Sequence, residues 1–335
     1  MTDQPSHAQQ NAIELILHNL GPVAAYLDDP RVTEIMANDD GKVFVESHQE
    51  GMHDSGLHLT ASARATIVNT VASINGDVIT PENPEVAGVL PKYGARFQGV
   101  IPPACVAPAF AIRMPSARVI TLEEYVASGT LTQQQAQAIL WGLEHRKNFL
   151  VAGGTGSGKT TLANAILARL KDSPHRIMTI EDTPELRCEA PNRFQCFVDR
   201  NTEFDYQKAL FVALRMRPDR IVVGELRDGL ASLELLKAWN TGHSGGLATL
   251  HANSAKAALP RLEQLLQEVT KHTPRALIAE AIDIVLYVER YERTGEGGQK
   301  ERARRVREVA RVSSDLGPDQ AYQLHSITHP SLGAT

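Results

Sequence analysis

The chain has 335 residues, of which 42% are hydrophobic and 22% charged, the balance of a folded protein with more length than one compact core of ordinary size needs, so two domains are expected. With 34 basic against 39 acidic residues the net charge is -5; no global positive field draws the protein to DNA, and direct nucleic-acid binding is not expected. No C-x-x-C spacing joins Cys105, Cys188 and Cys196, so neither a disulfide framework nor a zinc module follows, and the thiols suit a reducing compartment.

The opening MTDQPSHAQQN has neither the basic start nor the apolar core of a signal peptide, and no run approaches the ~18 apolar residues of a spanning helix. A cytoplasmic protein is expected, with any membrane attachment peripheral or through a partner. Ile13, Leu15, Ile16, Leu17 and Leu20 then set a helical pattern that Gly21 and Pro22 close. In VTEIMANDDGKVFVES, Asp39, Asp40 and Gly41 make a turn, and Val43 and Val45 alternate with polar neighbours as in a strand. Ile67, Val68, Val71 and Ile74 return to helical spacing, ended by Asn75-Gly76, and residues 94–116 read as two strands around a proline-rich turn. A small α/β domain over residues 1–115 is expected, then a linker at 116–132. Thr132 is placed to cap a helix over 133–145, where the second domain, 133–335, begins.

In that domain the apolar runs 149–151, 177–180, 194–198, 221–223, 247–250 and 282–288 alternate with helical patterns, which implies a largely parallel sheet covered on both faces. The basic run from Lys300 to Arg311 is diluted by Glu301 and Glu308, while Val306, Val309 and Val312 look like the buried positions of a strand. A solvated strand face is the preferred reading.

The segment NFLVAGGTGSGKTTL passes from apolar strand to glycines to helix, and Gly153, Gly158, Lys159 and Thr160 fill the template G-x-x-x-x-G-K-[ST]. Such glycines turn successive amides inward around a di- or triphosphate at the positive end of the helix. Gly153, Gly154, Thr155, Gly156, Ser157, Gly158, Lys159, Thr160 and Thr161 form the expected nucleotide cradle. Lys159 would reach the β- and γ-phosphates, and the Thr160 hydroxyl would ligate Mg²⁺.

Hydrolysis needs more than a cradle, and in an open parallel sheet the rest is sought at the carboxyl ends of strands. Glu225, after the apolar run closing in Gly224, would hold Mg²⁺ through water, and Glu181, beside Asp182, would polarise the attacking water; either could instead cap the next helix. His251 ends a further strand in TLHANS, where it could sense the γ-phosphate, pair with a carboxylate, or be structural. Arg96 and Arg113, shortly before the linker, are candidates for charge that neutralises a phosphoryl-transfer site, or ordinary surface arginines.

Taken in order, GGTGSGKTT, TIEDTPEL, RMRPDRIVVGELRDG and TGHSGGLATLHANS resemble the Walker A, Asp box, Walker B and His box of the type II/IV secretion ATPase superfamily. KAWNTGHSGG, VTEIMANDDGKVFVE and FAIRMPS resemble most its conjugal-transfer branch. The resemblance implies a RecA-like P-loop domain behind the small α/β domain and a hexameric ring with nucleotide between the two domains. It implies a cytoplasmic motor at the inner membrane, partnered by membrane components of the channel, that hydrolyses ATP with Mg²⁺. By motif position Lys159 and Thr160 bind phosphate and metal, Glu181 is the catalytic carboxylate, Glu225 supports the metal, His251 is the His-box histidine, and Arg113 resembles the arginine that reaches toward the γ-phosphate. Leu230 and Ala231 stand where many relatives have a glutamate, and the tetracysteine zinc module of type II relatives is absent. A pilus assembly or retraction motor, a DNA-translocating motor and a nucleotide-gated scaffold with little turnover are the alternatives.

Overall fold

A computed structural model describes residues 7–47, 50–115, 118–198, 202–294 and 300–327, without the side chains of 300 and 301. The chain divides into two compact units, Met1–Ala117 and Arg118–Thr335.

The first unit runs α1 (His7–Leu20), a 3-10 turn (Gly21–Leu27), β1 (Val32–Ala37), β2 (Lys42–Ser47), β3 (Gly51–His58), α2 (Ala61–Ile74), β4 (Glu85–Leu90), β5 (Ala95–Val100) and β6 (Ala109–Arg113). Its strands form an antiparallel sheet in the order β3-β2-β1-β6-β5-β4. Period-two alternation turns Ile35, Val43, Val45, Phe97 and Ile112 into a core with Ile16, Leu20, Ile67 and Val71 of the helices. Thr60 caps α2 by accepting from the Ala63 amide, which fixes where that helix starts. Arg113 belongs to the other face of β6, opposite Arg96 on one side and Glu34 on the other.

Capping also sets the start of the second unit. Thr121 and Glu124 form a reciprocal capping box on α3 (Leu122–Ala127), and Thr132 and Gln135 do the same on α4 (Gln133–Glu144). The expected linker therefore carries a helix: Leu122 and Tyr125 are buried with Ile139 and Leu162, so most of 118–132 belongs to the second unit. The linker's first residues, Ser116 and Ala117, lie outside the described residues, as do 1–6 and 328–335 of the two expected domains.

The elements continue as β7 (Phe149–Gly153), α5 (Lys159–Ala168), β8 (Ile177–Glu181), β9 (Arg193–Phe197), α6 (Tyr206–Arg215), β10 (Arg220–Val223), α7 (Gly229–Asn240), β11 (Leu247–His251), α8 (Ala255–Gln267), α9 (Arg275–Ala281), β12 (Ile284–Thr294), β13 (Lys300–Val312) and β14 (Leu324–Ser326). The sheet order is β14-β13-β12-β7-β11-β10-β8-β9, parallel from β12 to β9, with β13 and β14 antiparallel at one edge. Side chains of α3, α4 and α5 cover one face and those of α6 to α9 the other, giving three layers. This is the expected α/β fold.

The valines of β13 are buried as expected, but their spacing of three is not a strand period. Tyr287 pairs with Glu308 while Val288 pairs with Val306, so Arg307 is the extra residue of a bulge, and Val306 and Val309 share one face while Val312 points to the other.

Gly246, just before β11, allows a close approach that no other residue fits. A Cβ there would stand 2.2 Å from Trp239 Nε1 and 2.3 Å from the Ile221 carbonyl oxygen, which are themselves hydrogen-bonded at 3.2 Å. Gly246→Ala is expected to destabilise the protein by about 2 kcal/mol and lower the midpoint of thermal unfolding by about 5 °C. An unchanged melting curve would contradict this packing.

Candidate functional site

β7 is buried along its length and ends in the glycine-rich loop. Gly156 and Gly158 hold left-handed φ values of 66° and 102°, conformations that favour glycine, and Gly158 stands as the N-cap of α5. Gly153 is enclosed, since a Cβ would meet Ser157 Oγ and the Val288 carbonyl oxygen at 2.4 Å. Gly154 faces open space. The Lys159 side chain folds back over the loop and donates to the carbonyls of Gly153 at 3.2 Å and Gly154 at 3.1 Å. Its ammonium is buried at the head of the cradle.

The sheet order then decides which groups meet. β11 lies between β7 and β10, with His251 in register with Gly153. His251 is thereby interposed between the phosphate loop and the end of β10. Its ring nitrogens lie 3.3 and 3.4 Å from Lys159 Nζ, and Nε2 is 2.6 Å from Glu225 Oε1. Burial, reinforced by the positive charge of Lys159, holds the His251 pKa below its ordinary value against the opposing pull of Glu225.

On its other side Glu225 receives Arg227 Nε at 2.7 Å, and Arg227 Nη1 continues to Asp182 Oδ2 at 2.7 Å. Burial works against the Arg227 charge, but attraction to Glu225 and Asp182 outweighs it and leaves the pKa raised. Lys159, His251, Glu225, Arg227 and Asp182 thus form one chain of polar contacts along the carboxyl edge of the sheet.

Glu181, at the end of β8, is 2% exposed. Its Oε2 accepts from the amides of Glu185 and Leu186, both at 2.9 Å, whereas Oε1 is buried and has no hydrogen-bond partner among the described residues. Burial pushes its pKa up to about 7, the two amide bonds opposing. The loop supplying those amides is secured by buried Asn164 of α5, which donates to the Glu185 carbonyl at 2.9 Å and accepts from the Arg187 amide at 2.8 Å. A carboxyl poised near neutrality, with one oxygen that none of the described residues satisfies, can bind and deprotonate water.

The structure therefore brings Lys159, Glu225 and His251 into one contact chain, with Glu181 close by on the same edge. Thr160 and Thr161 open α5, and Thr155 is exposed in the loop. Arg113 lies in the first unit, 3.8 Å from Glu34. His243 sits at the opposite end of β11 and contacts the Pro218 carbonyl at 2.8 Å. Sequence reasoning missed Arg227 and Asn164; Arg227, two residues past a strand-end carboxylate, was the more findable.

A family model described as "Type II/IV secretion system protein" matches residues 17–310. This chain belongs to that family. Among curated relatives, the "Conjugal transfer protein TrbB" of Rhizobium radiobacter is 41% identical over 315 residues, 93% of each chain. The "Type IV secretion system protein VirB11" of Bartonella quintana is 32% identical, covering 87% of this chain and 94% of its own. In fold the chain is similar to the X-ray structure of the Legionella pneumophila ATPase DotB, with a TM-score of 0.59 and 18% identity over 90% of this chain and 82% of that one. The contact chain at the sheet edge joins Lys159 of GGTGSGKTT, Glu225 of RMRPDRIVVGELRDG and His251 of TGHSGGLATLHANS.

Proposed function

We propose that this member of the secretion family is a Mg²⁺-dependent ATPase that forms a hexameric ring and powers a conjugative type IV secretion system. The observation that carries the reading is the line from Lys159 through His251 to Glu225, flanked by a buried Glu181 with one unpartnered oxygen. The relative named for conjugal transfer supports the biological assignment. Among the described residues no helix is long and apolar enough to cross a membrane, so attachment to inner-membrane partners would be peripheral.

In this reading the loop amides of 154–161 and the head of α5 hold the phosphates, and Lys159 exchanges its two loop carbonyls for the β- and γ-phosphate oxygens. Glu181 orients the attacking water and accepts its proton. His251 connects the lysine to Glu225 and registers the terminal phosphate. The metal suits this donor set: among the described residues no cluster of three or more His, Cys, Asp or Glu forms a cage, and Mg²⁺ typically takes few protein ligands beside water and phosphate. Thr160 and Glu225 would hold it, Glu225 through water. When bound it neutralises charge on the phosphoryl oxygens. Arg113 is assigned, from its sequence position, as the first unit's contribution to that neutralisation.

The test is particle mass and phosphate release from the same sample, with and without Mg-ATP. Six chains per particle and steady phosphate release are expected, and Arg113→Ala should lower kcat more than it raises KM. A single-chain mass throughout, with release no faster than that of Lys159→Ala, would refute the proposal.

A further inference from the structure

The basic hairpin of β12 and β13 is not part of any motif, yet it forms a wall of the phosphate loop. β12 pairs in parallel with β7 up to Val288, which is in register with Gly153, and then runs on beside the loop. Val288 and Val306 pack in the core under α5. One pleat further along the same face stand Arg290 and Arg304, directly opposite each other across the two strands.

Two like charges in that position weaken a sheet rather than support it. Both, however, lie against the left-handed glycines of the loop. Arg304 Nε donates to the Gly156 carbonyl at 3.3 Å, and its Cδ would be 3.4 Å from a Cβ on Gly158. Arg290 Nη1 would be 3.4 Å from a Cβ on Gly156. Each guanidinium also has other interactions. The opposite face of the hairpin is a conventional surface, where Arg305 pairs with Glu289 at 2.8 Å and lies over the Tyr291 ring at 4.5 Å.

We propose that Arg304 and Arg290 are positioning residues for nucleotide binding. From outside the loop Arg304 holds the Gly156 carbonyl away from the cradle, and the pair adds positive charge behind the glycines on which a nucleotide's phosphates rest. The inference rests on the ATPase reading and assigns these residues no part in the chemical step. Because ground state and transition state share the same phosphates, loss of the pair weakens binding of both alike, which raises KM and spares kcat.

The experiment is titration of full-length protein with ADP and steady-state kinetics with Mg-ATP for Arg304→Gln, Arg304→Lys, Arg290→Gln and Arg305→Gln. Arg304→Gln is expected to weaken ADP binding about tenfold and raise KM comparably, with kcat within about twofold. Arg304→Lys, which keeps a charged donor, should recover to within about threefold of the parent, Arg290→Gln should lose about threefold, and Arg305→Gln should match the parent. Parent-like affinity in both glutamine variants of the pair overturns the inference, as does an equal loss in Arg305→Gln, which would mark general damage to the hairpin. Should Arg304→Gln fail to fold, Arg290→Gln measured against Arg305→Gln decides alone. A parent protein that binds no nucleotide defeats the ATPase reading instead.

Discussion

Glu181→Gln is expected to leave ATP bound and to stop its hydrolysis: phosphate release falls by about 10³-fold while ATP affinity stays within a few-fold of the parent. The side chain keeps its shape and can still accept from the Glu185 and Leu186 amides, so what is lost is the group that takes a proton from water. With the Glu181 carboxyl pushed up to about 7 by burial, the parent rate should climb as pH rises through neutrality, and the residual rate of the variant should lack that rise. Stability moves the other way. A carboxyl whose folded pKa is raised favours the folded state below its unfolded value and loses that contribution as pH climbs through about 7, so Glu181→Gln should outlast the parent in thermal unfolding at alkaline pH. Equal phosphate release from the two proteins would remove Glu181 from the catalytic role.

Lys159→Ala should abolish measurable nucleotide binding, a loss of about 100-fold or more, because a charge-assisted contact to phosphate is removed at the head of the loop. The fold should survive, since the lysine's hydrogen bonds include those to the loop carbonyls of Gly153 and Gly154 and to the ring of His251, none of which joins the core elements of the sheet. Titration with a fluorescent ADP analogue, beside circular dichroism and a melting curve, separates the two effects. Unaltered affinity would contradict the assignment of the loop itself.

Much of this was legible in the chain because buried parallel strands are written as apolar runs and end abruptly. Glu181 and His251 close such runs and Glu225 follows the glycine that ends one, so their place at the carboxyl edge could be read directly. Helix starts were legible where a hydroxyl stands at the cap, as at Thr132. β3 and β4 escaped: no side chain of β3 is buried, so it has no apolar signal. α3 falls within the expected linker because only Leu122 and Tyr125 of its six residues are buried, too few to set a helical pattern. Arg304 and Asn164 are far from their partners in sequence, and Arg227, though two residues from Glu225, reaches Asp182 only because β8 and β10 are neighbours; how distant elements come together is encoded by no local pattern.

That strand order carries a consequence of its own. By separating β7 from β10, β11 keeps the lysine of the loop and the carboxylate of Glu225 on either side of the His251 ring, whose Nε2 is 3.4 Å from Lys159 Nζ and 2.6 Å from Glu225 Oε1. In the proposed ATPase, a phosphate that draws the Lys159 ammonium toward itself takes it off the His251 ring, which keeps its contact with Glu225. One inserted strand thereby makes an imidazole the go-between for the loop and the carboxylate beyond it.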